Sequence, residues 1–337
     1  MDYKTAAREL GKGNASPVYI AYGSESFLLR EFLDFAEQKL VGPEYRDFAV
    51  SKYDLAETSL DVVLEDAQTP PFMAPKKLVI AGNAVFFTGA KDSGKAQHQP
   101  EKLLDYMKAP PDFSVIVFTV DAEKLDERKK IVKALKDVAI PFAPLHADGL
   151  LQWVVRLAER KSFTFAEGAA DQLILYAGGS LQTLAAEIEK LSLYVGTGGV
   201  ADGAIVDKLV TRSTEQNVFI LIDDIVRLRL NRAFSILYDL LKQREEPVKL
   251  VLLIARQFRI VLQVKELSKQ GLSHQQMASQ LGLHPYAVKI AAEQGHKFAP
   301  EKLERIIDQL AELDYKMKTG KIDKVVGLEM FLLGLAA

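Results

Sequence analysis

Short runs rich in β-branched and aromatic residues alternate with helix-like spacing through the first 145 residues, and beyond about residue 148 no such run recurs. The runs are PVYIAYG (17–23), DFAVSKYD (47–54), KKLVIAG (76–82), SVIVFTVD (114–121) and AIPFAPL (139–145). Alternation of this kind predicts a parallel α/β sheet, and the remainder reads as all-α. Between the second and third runs Leu60, Val63, Leu64 and Ala67 recur at i, i+3, i+4 and i+7. They mark one face of a helix that Thr69-Pro70-Pro71 stops. The segment from Phe87 to Pro100 is rich in Gly, Lys, Gln and His and reads as a surface loop.

In the second half, GGSLQTLAAEIEKLSLYVGTGG predicts a helix with Ser180 as N-cap and Gly196 as C-cap. A boundary near Arg212-Ser213-Thr214 precedes the long pattern NVFILIDDIVRLRLNRAFSILYDLLKQ, in which Val218, Leu221, Ile222, Ile225 and Leu228 share a face. Further helices follow Pro247, and no repeat of fixed period is visible.

A chain of 337 residues exceeds what one core usually serves, so two or three domains are expected. With 48% hydrophobic and 26% charged residues it has the composition of a folded globular protein. The absence of cysteine excludes disulfides, thiolate metal sites and cysteine nucleophiles, and fits a cytoplasmic protein. No signal-like apolar core opens the sequence, and every apolar run is interrupted well before about 18 residues, so neither export nor a membrane span is expected. A net charge of -2 gives no global attraction to a phosphate backbone.

Gly89-Ala90-Lys91-Asp92-Ser93-Gly94-Lys95-Ala96 falls one residue short of the phosphate-binding pattern G-x-x-x-x-G-K-[ST]. Ala96 stands where a magnesium-binding hydroxyl is required, and Gln97-His98-Gln99-Pro100 is a poor start for the helix that should follow. After the first strand, where a nucleotide fold places its phosphate loop, the chain has Gly23-Ser24-Glu25-Ser26-Phe27-Leu28 with no G-K-[ST]. Asp121 ends a strand as a magnesium ligand would, but Ala122 replaces the acidic neighbour of an ATPase. The first domain therefore reads as an ATPase-like fold without ATPase chemistry, with a Rossmann-like domain of other purpose left open.

LSHQQMASQLGLHPYAVKIAAEQG (272–295) reads as a helix-turn-helix, with Met277, Ala278 and Leu281 on one helix, Gly282 at the turn and Val288 on the next. The second helix offers Lys289 and little else for bases or phosphates, so a helical hairpin packed in a bundle competes with a DNA reader. Pro71-Phe72-Met73-Ala74-Pro75 puts two large apolar side chains on a turn that is ordinarily polar. They either cap this domain's own core or plug an apolar pocket on a partner. No H-E-x-x-H, ligand-like histidine cluster or G-x-S-x-G elbow occurs. The adjacent acids Asp223-Asp224 and Glu245-Glu246 read as solvated faces, and the charged stretch from Lys124 to Lys136 as a surface helix.

In order along the chain, PVYIAYGSESFLLRE, TPPFMAPKKLVI, KLDERKKIVKALK, GGSLQTLAAEIEKLSLY, NVFILIDDI, LLIARQFRIVLQVKEL and DYKMKTGKID resemble the delta subunits of the bacterial DNA polymerase III clamp loader. The resemblance implies a degenerate AAA+-type ATPase-like α/β domain over 1–146, a three-helix lid over 147–212 and an all-helical collar over 213–337. It implies a protein without catalysis or cofactor of its own, a component of the DNA-directed DNA polymerase (nucleotidyltransferase) holoenzyme that favours the open sliding clamp for loading onto primed DNA. Its implied partners are the clamp, the loader's ATPase subunits and the delta-prime subunit. Phe72 and Met73 fall where that family carries a clamp-entering hydrophobic pair, although Leu-Phe in some relatives makes Phe-Met a departure. Lys318 and Lys321 are expected either to meet DNA or a neighbouring subunit or to form a plain solvated helix end. A helix-turn-helix regulator is the rival from another class.

Overall fold

Each of the five apolar runs contributes a strand to one sheet. The computed structural model describes residues 1–91, 94–145, 147–283 and 285–336, without the side chains of 147, 148 and 336. Asp92, Ser93 and His146 lie outside the described residues, as does His284. The chain divides into two compact units, Met1–Pro144 and Leu145–Ala337.

The first unit runs α1 (Tyr3–Gly11), β1 (Val18–Tyr22), α2 (Ser26–Leu40), α3 (Arg46–Ala49), β2 (Val50–Asp54), α4 (Leu60–Gln68), β3 (Lys77–Gly82), α5 (Glu101–Tyr106), β4 (Ser114–Val120), α6 (Lys130–Ala134) and β5 (Ala139–Pro141). Its strands pair in the order β2-β3-β4-β1-β5, all parallel. Val50 lies opposite Leu78, Lys77 opposite Ser114, Val18 opposite Ile116 and Ile20 opposite Ala139. Successive side chains point to opposite faces, and both faces are apolar, as a sheet covered by helices requires. Val18, Ile20, Val79, Ala81, Ile116 and Phe118 pack with Leu60, Val63 and Leu64 of α4, Leu103 of α5 and Ile131 of α6. On the other face Tyr19 meets Phe32 of α2 edge-on, and Phe32 lies 5.6 Å from Phe142.

The second unit runs α7 (Ala147–Arg160), β6 (Thr164–Phe165), α8 (Ala169–Ala177), α9 (Leu181–Val195), β7 (Val200–Ala201), α10 (Gly203–Leu209), α11 (Thr214–Val226), α12 (Leu230–Lys242), α13 (Pro247–Lys269), α14 (His274–Leu281), α15 (Pro285–His296), α16 (Pro300–Lys318) and α17 (Lys324–Ala336). The caps fall where the sequence puts them. Ser180 accepts from the Thr183 amide and Gly196 follows α9 with positive φ, while Ser213 caps α11 by accepting from Gln216. One core joins Leu221, Ile222, Leu237, Ile254, Phe258, Leu310 and Leu332 across five of these helices.

The structure corrects several expectations. Residues 47–49 of the second run are helical, because Arg46–Ala49 forms a single turn whose first carbonyl receives the Val50 amide. AIPFAPL is strand only to Pro141, on an edge where a missing N–H is tolerated. Phe87, the start of the expected surface loop, is buried against Phe118. The two-residue strands β6 and β7 pair in a stretch expected to be wholly helical; two such short segments carry no readable periodicity. The long pattern after Ser213 breaks at Leu228, which adopts φ 59 between α11 and α12 and is exposed rather than on the shared apolar face.

Asp224 is fully buried, not solvated. The turn at Leu228 folds α12 back, so that Arg229 lies 2.8 Å from Asp224 Oδ1 and Arg232 3.2 Å from its Oδ2. Burial pushes this carboxyl up, and the Arg232 and Arg229 guanidinia pull it down. Neighbouring Asp223 takes Arg227 at 2.8 Å, and Arg227 reaches Glu293 of α15 at 3.2 Å. Glu245 is likewise engaged, accepting from Lys249 at 2.7 Å and from the Thr214 hydroxyl.

Residues 123–129 of the charged stretch form bends and a turn, and the helix begins only at Lys130. Asp126 Oδ1 accepts from the Arg128 amide at 3.1 Å and its carboxylate pairs with the Arg128 guanidinium, a local arrangement that competes with the helix. Those bonds, the guanidinium first, hold the Asp126 carboxyl at about 2. A depressed folded value means that its stabilising contribution is present above the ordinary carboxylate range and is lost as pH falls through about 2. Side-chain NMR should place its midpoint near that value, and Arg128→Ala should move the midpoint upward.

Candidate functional site

Helix α4 ends at Gln68 and β3 begins at Lys77, and the intervening turn contains no regular structure. Proline cannot continue α4 or donate to the sheet, so Pro70, Pro71 and Pro75 force the chain outward. Phe72 and Met73 stand on this turn, 72% and 77% exposed, with Met73 at φ 59. A left-handed conformation is costly for a side chain with a Cβ and persists only where the surroundings impose it. The alternative that this pair caps the domain's own core is excluded by that exposure.

The base of the turn is tied at both ends. Buried Lys77 donates from Nζ to Asp66 Oδ1 at 2.6 Å and to the Asp66 carbonyl at 2.8 Å, joining the last turn of α4 to the first residue of β3. Thr69 Oγ1 donates to the Glu65 carbonyl at 2.9 Å, and the Lys76 ammonium donates to the Asp112 carbonyl. Burial, and then the Asp66 carboxylate, push the nearby Tyr53 phenol above its ordinary value. Sequence reading finds the apolar pair but misses this tie. A lysine at the start of a strand looks like ordinary surface, and only the fold brings Asp66 beneath it.

The turn after β1 uses several of its backbone donors within the chain itself. Gly23 donates to Val120 O, Glu25 to Phe142 O at 2.9 Å and Ser26 to Ser24 O. The Phe27 amide donates to Glu25 Oε1 at 3.1 Å. The Gly23, Glu25, Ser26 and Phe27 amides, which would help cradle a phosphate, are thus occupied by this chain's own carbonyls and by a carboxylate. Gly23 has φ 137, and a Cβ there would lie 2.1 Å from Phe142 O, so the residue serves close packing. Of the Gly89–Ala96 segment, Asp92 and Ser93 lie outside the described residues, and the others form no helix. Its continuation folds back onto α4, where His98 Nδ1 accepts from the Leu60 amide at 3.3 Å and Nε2 meets the Leu55 carbonyl at 2.9 Å.

In the second unit Met277, Ala278 and Val288 of the helix-turn-helix lookalike are buried in the main bundle core, and Gly282 makes the turn with φ 66. Lys289 is exposed. Lys318 closes α16 and pairs with Asp314 at 2.7 Å. Lys321, just beyond, holds its ammonium 4.9 Å above the Tyr315 ring, and Tyr315 is exposed. The structure thus brings Lys321 to Tyr315, an aromatic that helix periodicity alone does not single out. Among the described residues no helix is long and apolar enough to cross a membrane, and no group of three or more His, Asp or Glu is placed to hold a metal ion.

Comparison with known proteins gives one answer. The family model described as "DNA polymerase III, delta subunit" matches residues 19–142, and "DNA polymerase III delta subunit, C-terminal domain" matches 215–335. The chain is 43% identical over 330 residues to "DNA polymerase III subunit delta" of Bacillus subtilis (strain 168), covering 97% of this chain and 95% of that protein. It is also similar to a solved structure described as "Bacillus subtilis DNA clamp loader delta protein (YqeN)", at 42% identity and a TM-score of 0.65, covering 99% of both chains. With both halves matched and the identity sustained from end to end, the chain belongs to the family of DNA polymerase III delta subunits.

Proposed function

We propose that this chain is the clamp-opening arm of a bacterial clamp loader, working by binding rather than by catalysis. The observation that carries the reading, beyond family membership, is the Phe72-Met73 pair held out on a turn tied down by Lys77 and Asp66. A preformed apolar knob suits a pocket on a sliding clamp, because little ordering entropy opposes docking. Methionine is flexible and polarizable enough to fill such a pocket beside Phe72. If the docked shape fits an opened ring better than a closed one, opening is favoured by that difference in affinity.

The occupied donors between Gly23 and Phe27 support a first domain that binds no nucleotide. In this reading residues 147–212 act as a lid and 213–337 as a collar that meets the ATPase and delta-prime subunits. Tyr315 beside Lys318 and Lys321 suits stacking on an unpaired base with phosphate contact, which supports primed DNA as a partner of the end of α16 in this reading. Burial of the helix-turn-helix residues in the bundle gives no support to the regulator reading.

Sedimentation of the purified chain with its cognate clamp tests the proposal. A stoichiometric complex, accelerated clamp release from nicked circular DNA and no ATP turnover are expected. Absence of a complex, or duplex retardation by the chain alone with steep salt dependence, would overturn it.

A further inference from the structure

Among the described residues of the first unit, the large apolar side chains about two-thirds exposed or more are Phe48, Phe72 and Met73. All three stand on the segments that lead into β2 and β3. These strands are neighbours and parallel, with Val50 opposite Leu78, so both entry segments lie at the same end of the sheet. Phe48 precedes Val50 by two positions, and neighbouring strands run about 4.8 Å apart.

Phe48 is held as firmly as the pair. Its helical turn, α3, buries Ala49 and receives the Val50 amide, while Arg46 of the same turn pairs with the nearly buried Glu37 of α2. Lys52 approaches the other oxygen of Glu37 at 3.8 Å. The phenyl ring thus projects from a platform fixed to α2 on one side and to the sheet on the other, and among the described residues it stays 67% exposed.

We infer that Phe48 is a second anchor of the surface that Phe72 and Met73 present, and that the docking partner extends from the turn before β3 to the turn before β2. The inference rests on the clamp-docking reading and deepens it: the partner must offer an apolar contact beside its main pocket. β2 is also the edge strand of the sheet, so the surface has no further strand to cover it on that side.

The test compares full-length wild type, Phe48→Ala and the Phe72→Ala, Met73→Ala pair for clamp affinity, with hydrogen exchange of residues 46–54 in the presence and absence of clamp. Phe48→Ala should weaken binding about ten-fold or more with an unchanged melting curve, and the amides around Phe48 should gain protection on clamp addition. Wild-type affinity in Phe48→Ala, beside lost affinity in the pair, overturns the inference and leaves the docking reading standing. No binding by wild type removes both. Self-association of the free chain that disappears in Phe48→Ala would assign Phe48 to a second copy and also overturn the inference.

Discussion

Replacing Phe72 and Met73 together with alanine is expected to weaken clamp binding by roughly 10²–10⁴-fold while leaving the folded chain as stable as before. Each side chain, if fully buried in the complex, contributes about 1.5–3 kcal/mol, so the pair accounts for about 3–6 kcal/mol. Stability should not fall, because neither side chain is covered in the free protein. Surface-binding titration gives the affinity and thermal unfolding the control. An unchanged affinity would move the docking surface elsewhere on the first unit.

The second large effect concerns the tie beneath that turn. Asp66→Ala removes the carboxylate from a lysine whose side chain is only 7% exposed, leaving a buried ammonium with carbonyl partners alone. Breaking such a pair typically costs about 3–5 kcal/mol, whereas replacing both members with apolar groups is often neutral. Asp66→Ala should therefore lower the melting temperature of the first unit by about 10 °C or more, and adding Lys77→Met should restore much of the loss. Additive losses in a double-mutant cycle would show that the two residues act independently. The amides from Thr69 to Lys77 should exchange faster in the single variant, and clamp affinity should drop with them even though Phe72 and Met73 are intact.

The strands and most helix ends were legible because their signals are local. A β-branched run between turn residues has few other outcomes in a buried sheet, and Ser180, Gly196, Ser213 and Gly282 satisfy helix termini by the rules that place them in sequence. What escaped depends on residues distant in the chain or on backbone bends without periodicity. Asp224 looked like half of a solvated acidic pair until the bend at Leu228 brought Arg229 and Arg232 over it. Asp126 and Arg128 used their side chains to close a turn where charge alternation alone read as helix. At the candidate site the exposed pair could be named from Pro71 to Pro75. Neither the Lys77 tie nor the company of Phe48 could be, since both arise from strand adjacency.

The pairing of β1 has a consequence for how the chain leaves the ribosome. Both neighbours of β1 come from the far end of the first unit, β4 beginning at Ser114 and β5 at Ala139, and the amino terminus itself donates to the Ala139 carbonyl. At ordinary elongation rates β1 is made on the order of 10 s before its last partner exists. During that interval Val18, Tyr19 and Ile20 have no sheet to enter, and the nascent segment depends on chaperone cover or slow collapse to avoid pairing with other chains. The helical second unit waits in the same way, since its core is complete only when Leu332 of α17 reaches Leu221 and Ile222 of α11. Truncations ending before residue 141 should therefore be insoluble, whereas a fragment that includes β5 should fold.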